Sequence, residues 1–230
     1  MARYELIIGN MNYSSWSMRG GLVLAASNAD WQQTMIPLRQ PDTETKIRHY
    51  SPTGKLPCLI DHTVKNPSGN GGLAIWDSLA IAEYLAETHP NAALWPSDPA
   101  ARAIARAVTA EMHSGFTALR SQFPMNIRRR VSGAVASPES LKEITRICQI
   151  WHHCRQEFAG KGKFLFGTAP TIADWFYAPI VTRFITYNIE MDDSARDYVA
   201  NLVTHPVMAR WLANATAETI SIPYYDEWKP

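Results

Sequence analysis

A chain of 230 residues, 46% hydrophobic and 19% charged, has an ordinary globular composition and ample material for a buried core. Its formal net charge of +1 gives no electrostatic reason to expect a nucleic-acid or membrane partner, and no apolar run approaches the roughly 20 residues that cross a bilayer. The first residues lack the pattern of a secretory signal, so we expect a cytoplasmic protein with no nucleic-acid and no membrane partner.

The cysteines and histidines give no sign of a disulfide framework or a metal site. Cys58, Cys148 and Cys154 form no CxxC pair, and their number is odd. His152 and His153 are adjacent and project about 100° apart on a helix, which makes them poor joint ligands. We therefore expect no metal.

Up to about residue 89, short apolar runs alternate with helical patterns. The predicted strands are residues 4–9, 31–38, 57–61 and 73–76, and the predicted helices are residues 17–27, 43–50 and 77–89. This βαβ-ββα order implies a right-handed parallel crossover, followed by an antiparallel hairpin on the same sheet. The connection over residues 62–72 is long for a hairpin loop.

Residues 89–99 contain three prolines, which stop a helix and mark a domain boundary. We divide the chain into a first domain of residues 1–89, a linker of residues 90–99 and a second domain of residues 100–230. The predicted helices of the second domain are residues 100–123, 138–159, 171–187, 193–204 and 206–219. Ser137 is the expected N-cap of the second of these helices, and Thr171 with Asp174 has the spacing of a capping box.

The turn over residues 13–19, Tyr-Ser-Ser-Trp-Ser-Met-Arg, joins the first strand to the first helix. Hydroxyl side chains and free backbone N–H groups at a helix N-terminus stabilise an anion or a thiolate. Serine at this place also commonly does no more than cap the helix. The turn alone leaves both interpretations open. Gly20 and Gly21, early in the same helix, predict close packing against it.

Four segments occur along the chain in a characteristic order. They are the serine turn, GKLPCLI over residues 54–60, IWDSLAI over residues 75–81, and FLFG over residues 164–167 followed by TIAD over residues 171–174. Together they resemble the soluble glutathione S-transferases over essentially the whole chain, and the turn is similar to the Ser-type, zeta-like pattern S-S-C-S-x-R. The resemblance implies an α/β N-terminal thioredoxin-like domain followed by an all-α helical-bundle domain, and a cis peptide bond before Pro57.

The resemblance also implies glutathione as co-substrate and a set of residues that hold it. Ser14, or next to it Ser15, would donate a hydrogen bond to the sulfur and favour the thiolate, which is the nucleophile. Leu56 would pair its backbone with the glutathione cysteine. The other implied contacts to glutathione are Trp16, Lys55, Pro57, Asp77 and Ser78.

A pocket for the second substrate is expected between the serine turn and the helical domain. The candidate residues for it are His113, Phe116, Arg128 and Arg183, and the two arginines favour an acidic co-substrate. The expected reaction is conjugation of glutathione to a small electrophile by a homodimeric glutathione transferase.

Three alternatives stay open. A glutathione-dependent isomerase or peroxidase would use the same fold, although the zeta pattern has cysteine where this chain has Trp16, which puts the maleylacetoacetate isomerase reaction in doubt. A glutaredoxin-like reductase would need a cysteine in the turn, where Ser14 and Ser17 have the C-x-x-C spacing without sulfur. A non-catalytic transferase-like module that binds a protein partner is the third.

Overall fold

The first part of the chain forms a four-stranded mixed sheet with three helices. In the computed structural model, which describes residues 2–67 and 71–230, the strands are β1 (Tyr4–Ile8), β2 (Trp31–Met35), β3 (Cys58–Lys65) and β4 (Gly72–Trp76). The strand order is β2-β1-β3-β4, with β2 parallel to β1 and the other pairs antiparallel. The helices are α1 (Ser15–Ala26), α2 (Thr43–Tyr50) and α3 (Ser78–Thr88). The predicted βαβ-ββα order is confirmed; residues 68–70 of the predicted connection 62–72 lie outside the described residues.

The second part of the chain is helical, after a 3-10 turn over Pro90–Ala92. Its helices are α4 (Pro99–Ser114), α5 (Thr117–Gln122), α6 (Pro138–Phe158), α7 (Ile172–Thr186), α8 (Asp193–Thr204), α9 (Pro206–Ala217) and the short α10 (Pro223–Asp226). No helix of residues 2–67 and 71–230 has both the length and the apolar character needed to cross a membrane.

The prediction of one continuous helix over residues 100–123 is wrong. The chain leaves the helix after Ser114, and Phe116 takes a left-handed conformation with φ of 56° before α5 begins. A left-handed residue cannot continue a right-handed helix, so the second segment starts in a new direction.

The predicted caps of the helical domain are confirmed. The Ser137 hydroxyl accepts a hydrogen bond from the Ser140 backbone at 3.1 Å. The Asp174 carboxylate accepts from the Thr171 N–H at 2.7 Å in a capping box, and from the Leu165 N–H at 3.0 Å. Both caps satisfy backbone donors that a helix start leaves without partners.

Helix α1 lies between the two parts of the molecule and packs against α3, α7 and α9. A Cβ added at Gly20 would lie 3.1 Å from Pro57 Cγ, and one at Gly21 would lie 2.2 Å from Trp211 Cζ3. The close packing predicted from the two glycines is therefore confirmed on both sides of the helix. It brings the N-terminus of α1 next to the turn that contains Pro57.

Candidate active site

The serine turn places Ser14 at the N-cap of α1. Its hydroxyl accepts a hydrogen bond from the Ser17 N–H at 3.2 Å and donates to Ser17 Oγ at 2.7 Å. Ser17 is buried, and its hydroxyl also accepts from the Gly9 N–H at 3.0 Å. Ser17 thus fixes the Ser14 side chain at the positive end of the helix. Their spacing is the sequence signal for this pair, because an N-cap side chain reaches the backbone N–H of the third residue after it.

Ser15 and Trp16 lie at the edge of a cleft of about 280 Å³ between the two parts of the molecule. The other residues that line the cleft are Thr117, Arg120, Ser121 and Arg183. Of the residues proposed for a second substrate, Arg183 is therefore at the cleft. Arg120 was not predicted from the sequence.

The peptide bond between Leu56 and Pro57 is cis, as the resemblance implied. Lys55 is exposed, Leu56 is half-buried, and Pro57 is buried against α1. The neighbouring Cys58 is fully buried, which raises the pKa of its thiol to about 11. A thiol with this pKa is almost entirely protonated at neutral pH, so Cys58 is a packing residue.

Asp77 and Ser78, two of the implied contacts to glutathione, are the N-cap and the first residue of α3. Asp77 has φ of 71°, and its Oδ1 accepts a hydrogen bond from the Leu79 N–H at 2.7 Å. Ser78 is buried, and within the described part of the chain its hydroxyl has no hydrogen-bond partner. A buried hydroxyl without a partner is costly, which favours a ligand group at this place.

His113 connects the two ends of the candidate site. Its Nε2 lies 3.3 Å from Asp77 Oδ2, and its ring packs edge-on against Trp16 with the ring centroids 5.1 Å apart. Burial lowers the pKa of His113; Arg19 and Arg120 lower it further, while Asp77 opposes the shift. His113 was predicted at the second-substrate pocket, but the structure puts it between the serine turn and Asp77.

Three arginines lie at the cleft or directly behind it. The Arg19 guanidinium is buried and lies 3.8 Å from the centre of the Trp16 ring, while that of Arg120 lies 5.2 Å from the same ring. Among the described residues, Nε and Nη1 of Arg19 have no hydrogen-bond partner. Burial, followed by the charges of Arg120 and Arg183, lowers the pKa of Arg19 to about 9.

The other two arginines bond to backbone carbonyl groups. Arg183 donates to the carbonyl oxygens of Phe123 at 2.8 Å and Pro179 at 3.0 Å, and Arg120 donates to that of Gly115 at 2.9 Å. Burial, followed by the charge of Arg120, lowers the pKa of Arg183 to about 9. Within residues 2–67 and 71–230, none of the three arginines forms an ion pair with a carboxylate, although Asp77 attracts Arg19 and Glu143 attracts Arg120 at longer range.

Two residues proposed for the second-substrate pocket have other places in the structure. Arg128 donates to the Tyr13 hydroxyl at 2.7 Å and to the backbone oxygens of Glu218 and Ile220, so it fastens the C-terminal segment to the serine turn. Phe116 is buried in the helical core, with its ring centroid 6.5 Å from that of Tyr177. We therefore assign Arg128 and Phe116 to packing.

The described residues contain no group of three or more histidine, cysteine, aspartate or glutamate side chains that could hold a metal ion.

Comparison with known proteins places this geometry in a family. The glutathione S-transferase N-terminal domain model matches residues 13–88, and the C-terminal domain model matches residues 101–214. A probable maleylacetoacetate isomerase from Caenorhabditis elegans is 25% identical over 202 residues, covering 84% of this chain and 89% of that protein. The maleylacetoacetate isomerase of Rattus norvegicus is 29% identical over 182 residues, covering 77% of each chain.

Solved structures show the same fold. A glutathione transferase homologue from Burkholderia, solved with bound glutathione, superposes with a TM-score of 0.67 at 21% identity and covers 94% of this chain and 99% of that one. A glutathione S-transferase from Rhodospirillum rubrum superposes with a TM-score of 0.68 at 19% identity, covering 97% and 98%. With both domain models matched in order, the chain belongs to the glutathione S-transferase family.

Proposed function

We propose that this protein binds glutathione, holds it as the thiolate and conjugates it to a small electrophile that carries an anionic group. The observation that carries the proposal is the position of His113, which contacts both Trp16 in the serine turn and Asp77 at the start of α3. Three segments that are distant in sequence thereby meet around the N-terminus of α1. We propose that residues 1–89 bind glutathione and that residues 100–230 complete the pocket for the second substrate.

Activation of the thiol is assigned to Ser14. A free thiol has a pKa of about 8.5, so at neutral pH an enzyme must favour the thiolate. The hydrogen bond between Ser14 and Ser17 can reverse, because Ser17 Oγ already accepts from Gly9 and keeps its own proton to donate. Ser14 can then donate a hydrogen bond to the sulfur while the dipole of α1 favours the negative charge. The thiol proton leaves to solvent. Ser15, at the cleft edge, is the alternative donor.

Binding of glutathione is assigned to the two other segments. The buried Ser78 hydroxyl and the N-terminus of α3 suit the γ-glutamyl carboxylate, and Asp77 suits the γ-glutamyl ammonium group. The backbone of Leu56, beside Pro57, would pair with the glutathione cysteine, and exposed Lys55 would meet the glycyl carboxylate. Trp16 would close the thiol end of the site.

The second substrate is assigned to the cleft beside Ser15 and Trp16. Arg120 and Arg183 line it, and Arg19 lies behind the Trp16 ring. A carboxylate in the cleft would offset the mutual repulsion of these cations and form charge-assisted hydrogen bonds. The thiolate would attack the electrophilic carbon, and the leaving group would depart with the electron pair of the broken bond.

Glutathione-dependent isomerisation is the second candidate, because the relatives found by sequence include proteins named maleylacetoacetate isomerase. A peroxidase and a non-catalytic partner-binding module remain alternatives of the same fold. The proposal also has the enzyme working in the cytoplasm as a homodimer. Turnover of aromatic halides, peroxides and maleyl compounds would separate the transferase, the peroxidase and the isomerase.

The test of glutathione activation is ultraviolet difference absorbance of the bound thiolate in the wild type, Ser14→Ala and Ser15→Ala. We expect a thiolate signal with the wild type at neutral pH and its loss in Ser14→Ala. Loss in Ser15→Ala alone would move the role to Ser15. No signal with the wild type at saturating glutathione would contradict the catalytic proposal and favour the non-catalytic module.

The test of the anionic co-substrate compares 4-chloro-3,5-dinitrobenzoate with 1-chloro-2,4-dinitrobenzene. Each kcat/KM is divided by the rate constant of the uncatalysed reaction, and the ratio of acid to neutral substrate is compared between variants. Arg120→Gln should lower this ratio about tenfold, corresponding to about 1.4 kcal/mol, while Arg120→Lys should keep most of it. An equal ratio in the wild type and Arg120→Gln would contradict an anionic substrate without affecting the transferase proposal.

A further inference from the structure

The two oxygens of the Asp77 carboxylate have separate partners. Oδ1 accepts from the Leu79 N–H at 2.7 Å and the Ala80 N–H at 3.4 Å, and so caps α3. Oδ2 faces His113 Nε2 at 3.3 Å. The Asp77 side chain is 41% exposed. The carboxylate is therefore open to solution, and Oδ2 is the oxygen that takes no part in capping α3.

The surroundings of His113 favour one tautomer of its neutral ring. Nδ1 is buried without a hydrogen-bond partner in the described part of the chain, whereas Nε2 faces Asp77. The proton of the neutral ring therefore belongs on Nε2, the nitrogen that lies 3.3 Å from the Asp77 carboxylate. Trp16 and Phe176 pack against the ring, with centroid distances of 5.1 and 6.2 Å, and hold it in this orientation.

The charged groups around His113 come from four helices. Arg19 of α1 and Arg120 of α5 disfavour a positive charge on the ring, and Asp77 at the start of α3 favours one. On its own helix α4, Glu111 is paired with Arg146 at 2.8 Å. Burial adds to the effect of the arginines and lowers the pKa of His113, so at neutral pH the imidazole is uncharged. The charge of Asp77 is then available to a bound cation.

We infer that His113 is a positioning residue that holds Asp77 for the γ-glutamyl ammonium group, and that its protonation weakens glutathione binding as the pH falls below neutral. The inference rests on the proposed function, since it assigns Asp77 to that ammonium group. A protonated His113 and the ammonium would compete for the same carboxylate oxygen. By linkage, a group whose protonation opposes the ligand makes the affinity fall as protons are added.

The experiment is calorimetric titration with S-methylglutathione, which keeps the ammonium group and has no thiol to titrate. Affinity is measured between pH 5.5 and 7.5 at constant ionic strength, above the range in which an ordinary aspartate protonates, near 3.9. For the wild type we expect a loss on the order of fivefold at the acid end. His113→Gln keeps an N–H donor for Asp77 without a titrating ring, so it should keep most of the wild-type affinity at pH 7.5 and lose the pH dependence.

Two further variants complete the design. His113→Leu removes the donor and should bind more weakly across the whole pH range. His153→Gln, which changes an exposed histidine on α6, should behave as the wild type does. If His113→Gln proves unstable, the wild type still provides a test, because the NMR titration of the His113 ring should move to lower pH when S-methylglutathione is bound.

The outcomes separate this inference from the function on which it rests. Binding whose pH dependence is the same in the wild type and His113→Gln, or an NMR titration that the ligand leaves unchanged, would overturn the role of His113 alone. Absence of binding to the wild type at every pH would overturn the proposed glutathione site, and this inference with it.

Discussion

The carboxylate of Glu218 accepts a hydrogen bond from the backbone N–H of Met11 at 2.6 Å, although 207 positions separate the two residues. It also accepts from the Asn10 side chain at 2.6 Å. Further along the C-terminal segment, Asp226 accepts from the Tyr13 hydroxyl at 2.9 Å. The loop that leads into the serine turn is therefore held by the end of the chain.

Glu218→Gln should loosen this loop. Glutamine has one acceptor oxygen where the carboxylate uses two, so one hydrogen bond is lost and the other becomes neutral. We expect a loss of about 2 kcal/mol in the free energy of unfolding. The bound-thiolate signal should also weaken, because Ser14 follows directly on this loop. Thermal unfolding and ultraviolet absorbance measure the two effects. Glu227→Gln, at an exposed position of the same segment, is the control, and equal behaviour of both variants would refute a special role for Glu218.

Ser17→Ala should weaken thiol activation without abolishing it. The change removes the partner that orients Ser14 and leaves the buried Gly9 N–H without its acceptor. We expect kcat/KM at neutral pH to fall on the order of tenfold, with recovery at higher pH as the thiol of glutathione ionises unaided. Ser27→Ala removes a hydroxyl at the other end of α1 and should affect stability only. An unchanged pH–rate profile in Ser17→Ala would show that Ser17 has no part in activation.

Gly21→Ala should destabilise the fold more than Gly20→Ala. The added methyl group at Gly21 would lie 2.2 Å from the Trp211 ring, whereas the one at Gly20 would lie 3.1 Å from Pro57. Overpacking costs about 1–3 kcal/mol, and the better helix propensity of alanine returns about 1 kcal/mol. Urea unfolding of the two variants measures the difference. Equal stabilities would mean that Trp211 moves away at little cost.

Asp61 should make the stability depend on acid pH. Burial opposes its ionisation, but hydrogen bonds from Thr63, Tyr84 and Arg3 outweigh burial and lower the pKa of the carboxyl group in the folded state. The stabilisation that the ionised Asp61 contributes to the folded state is therefore complete above the unfolded pKa of about 3.9. It is lost as the pH falls through the lower folded pKa. Asp61→Asn should lower the free energy of unfolding by about 2 kcal/mol at neutral pH. It should also reduce the change of that free energy with pH on the acid side. Asp30→Asn, at an exposed position, should leave that pH dependence unchanged.

The three cysteines should react slowly with thiol reagents in the folded protein. Burial raises the pKa of Cys58 and Cys148 to about 11 and that of Cys154 to about 12. Titration with a chromogenic disulfide at pH 7.5 should detect them only in denaturant, and Cys58→Ala should keep the glutathione-dependent activity. A fast native reaction at Cys58 would revive the glutaredoxin-like alternative.

Short sequence patterns predicted correctly those features that depend only on neighbouring residues, such as some helix bounds and the caps. Helices α2 and α8 have the predicted bounds, and the caps at Ser137 and Thr171 lie where the sequence put them. The single helix over residues 100–123 failed because its alanine-rich pattern continues through a break. That break depends on one left-handed residue, Phe116, which the composition of the segment does not reveal.

The rest of the candidate site depends on tertiary contacts, which cannot be predicted from the spacing of residues along the chain. The resemblance supplied Ser14, Pro57 and Asp77, each of which belongs to a short segment. Arg120 was not predicted as a site residue because only the packing of α5 beside Trp16 brings it to the cleft. Arg128 was assigned to the pocket on its charge alone, yet its side chain donates to Tyr13 and to a segment about 90 residues further along the chain.

The three arginines behind the serine turn also affect how the protein should be handled. Arg120 and Arg183 make the positive charge of Arg19 less favourable, and Arg120 does the same to Arg183, which weakens the folded state unless anions gather there. A buffer anion that binds only the folded state raises the melting temperature, and the rise increases with the logarithm of the anion concentration above its dissociation constant. Phosphate or sulfate should therefore protect this protein more than chloride does at equal ionic strength, and the same anions should compete with an acidic substrate.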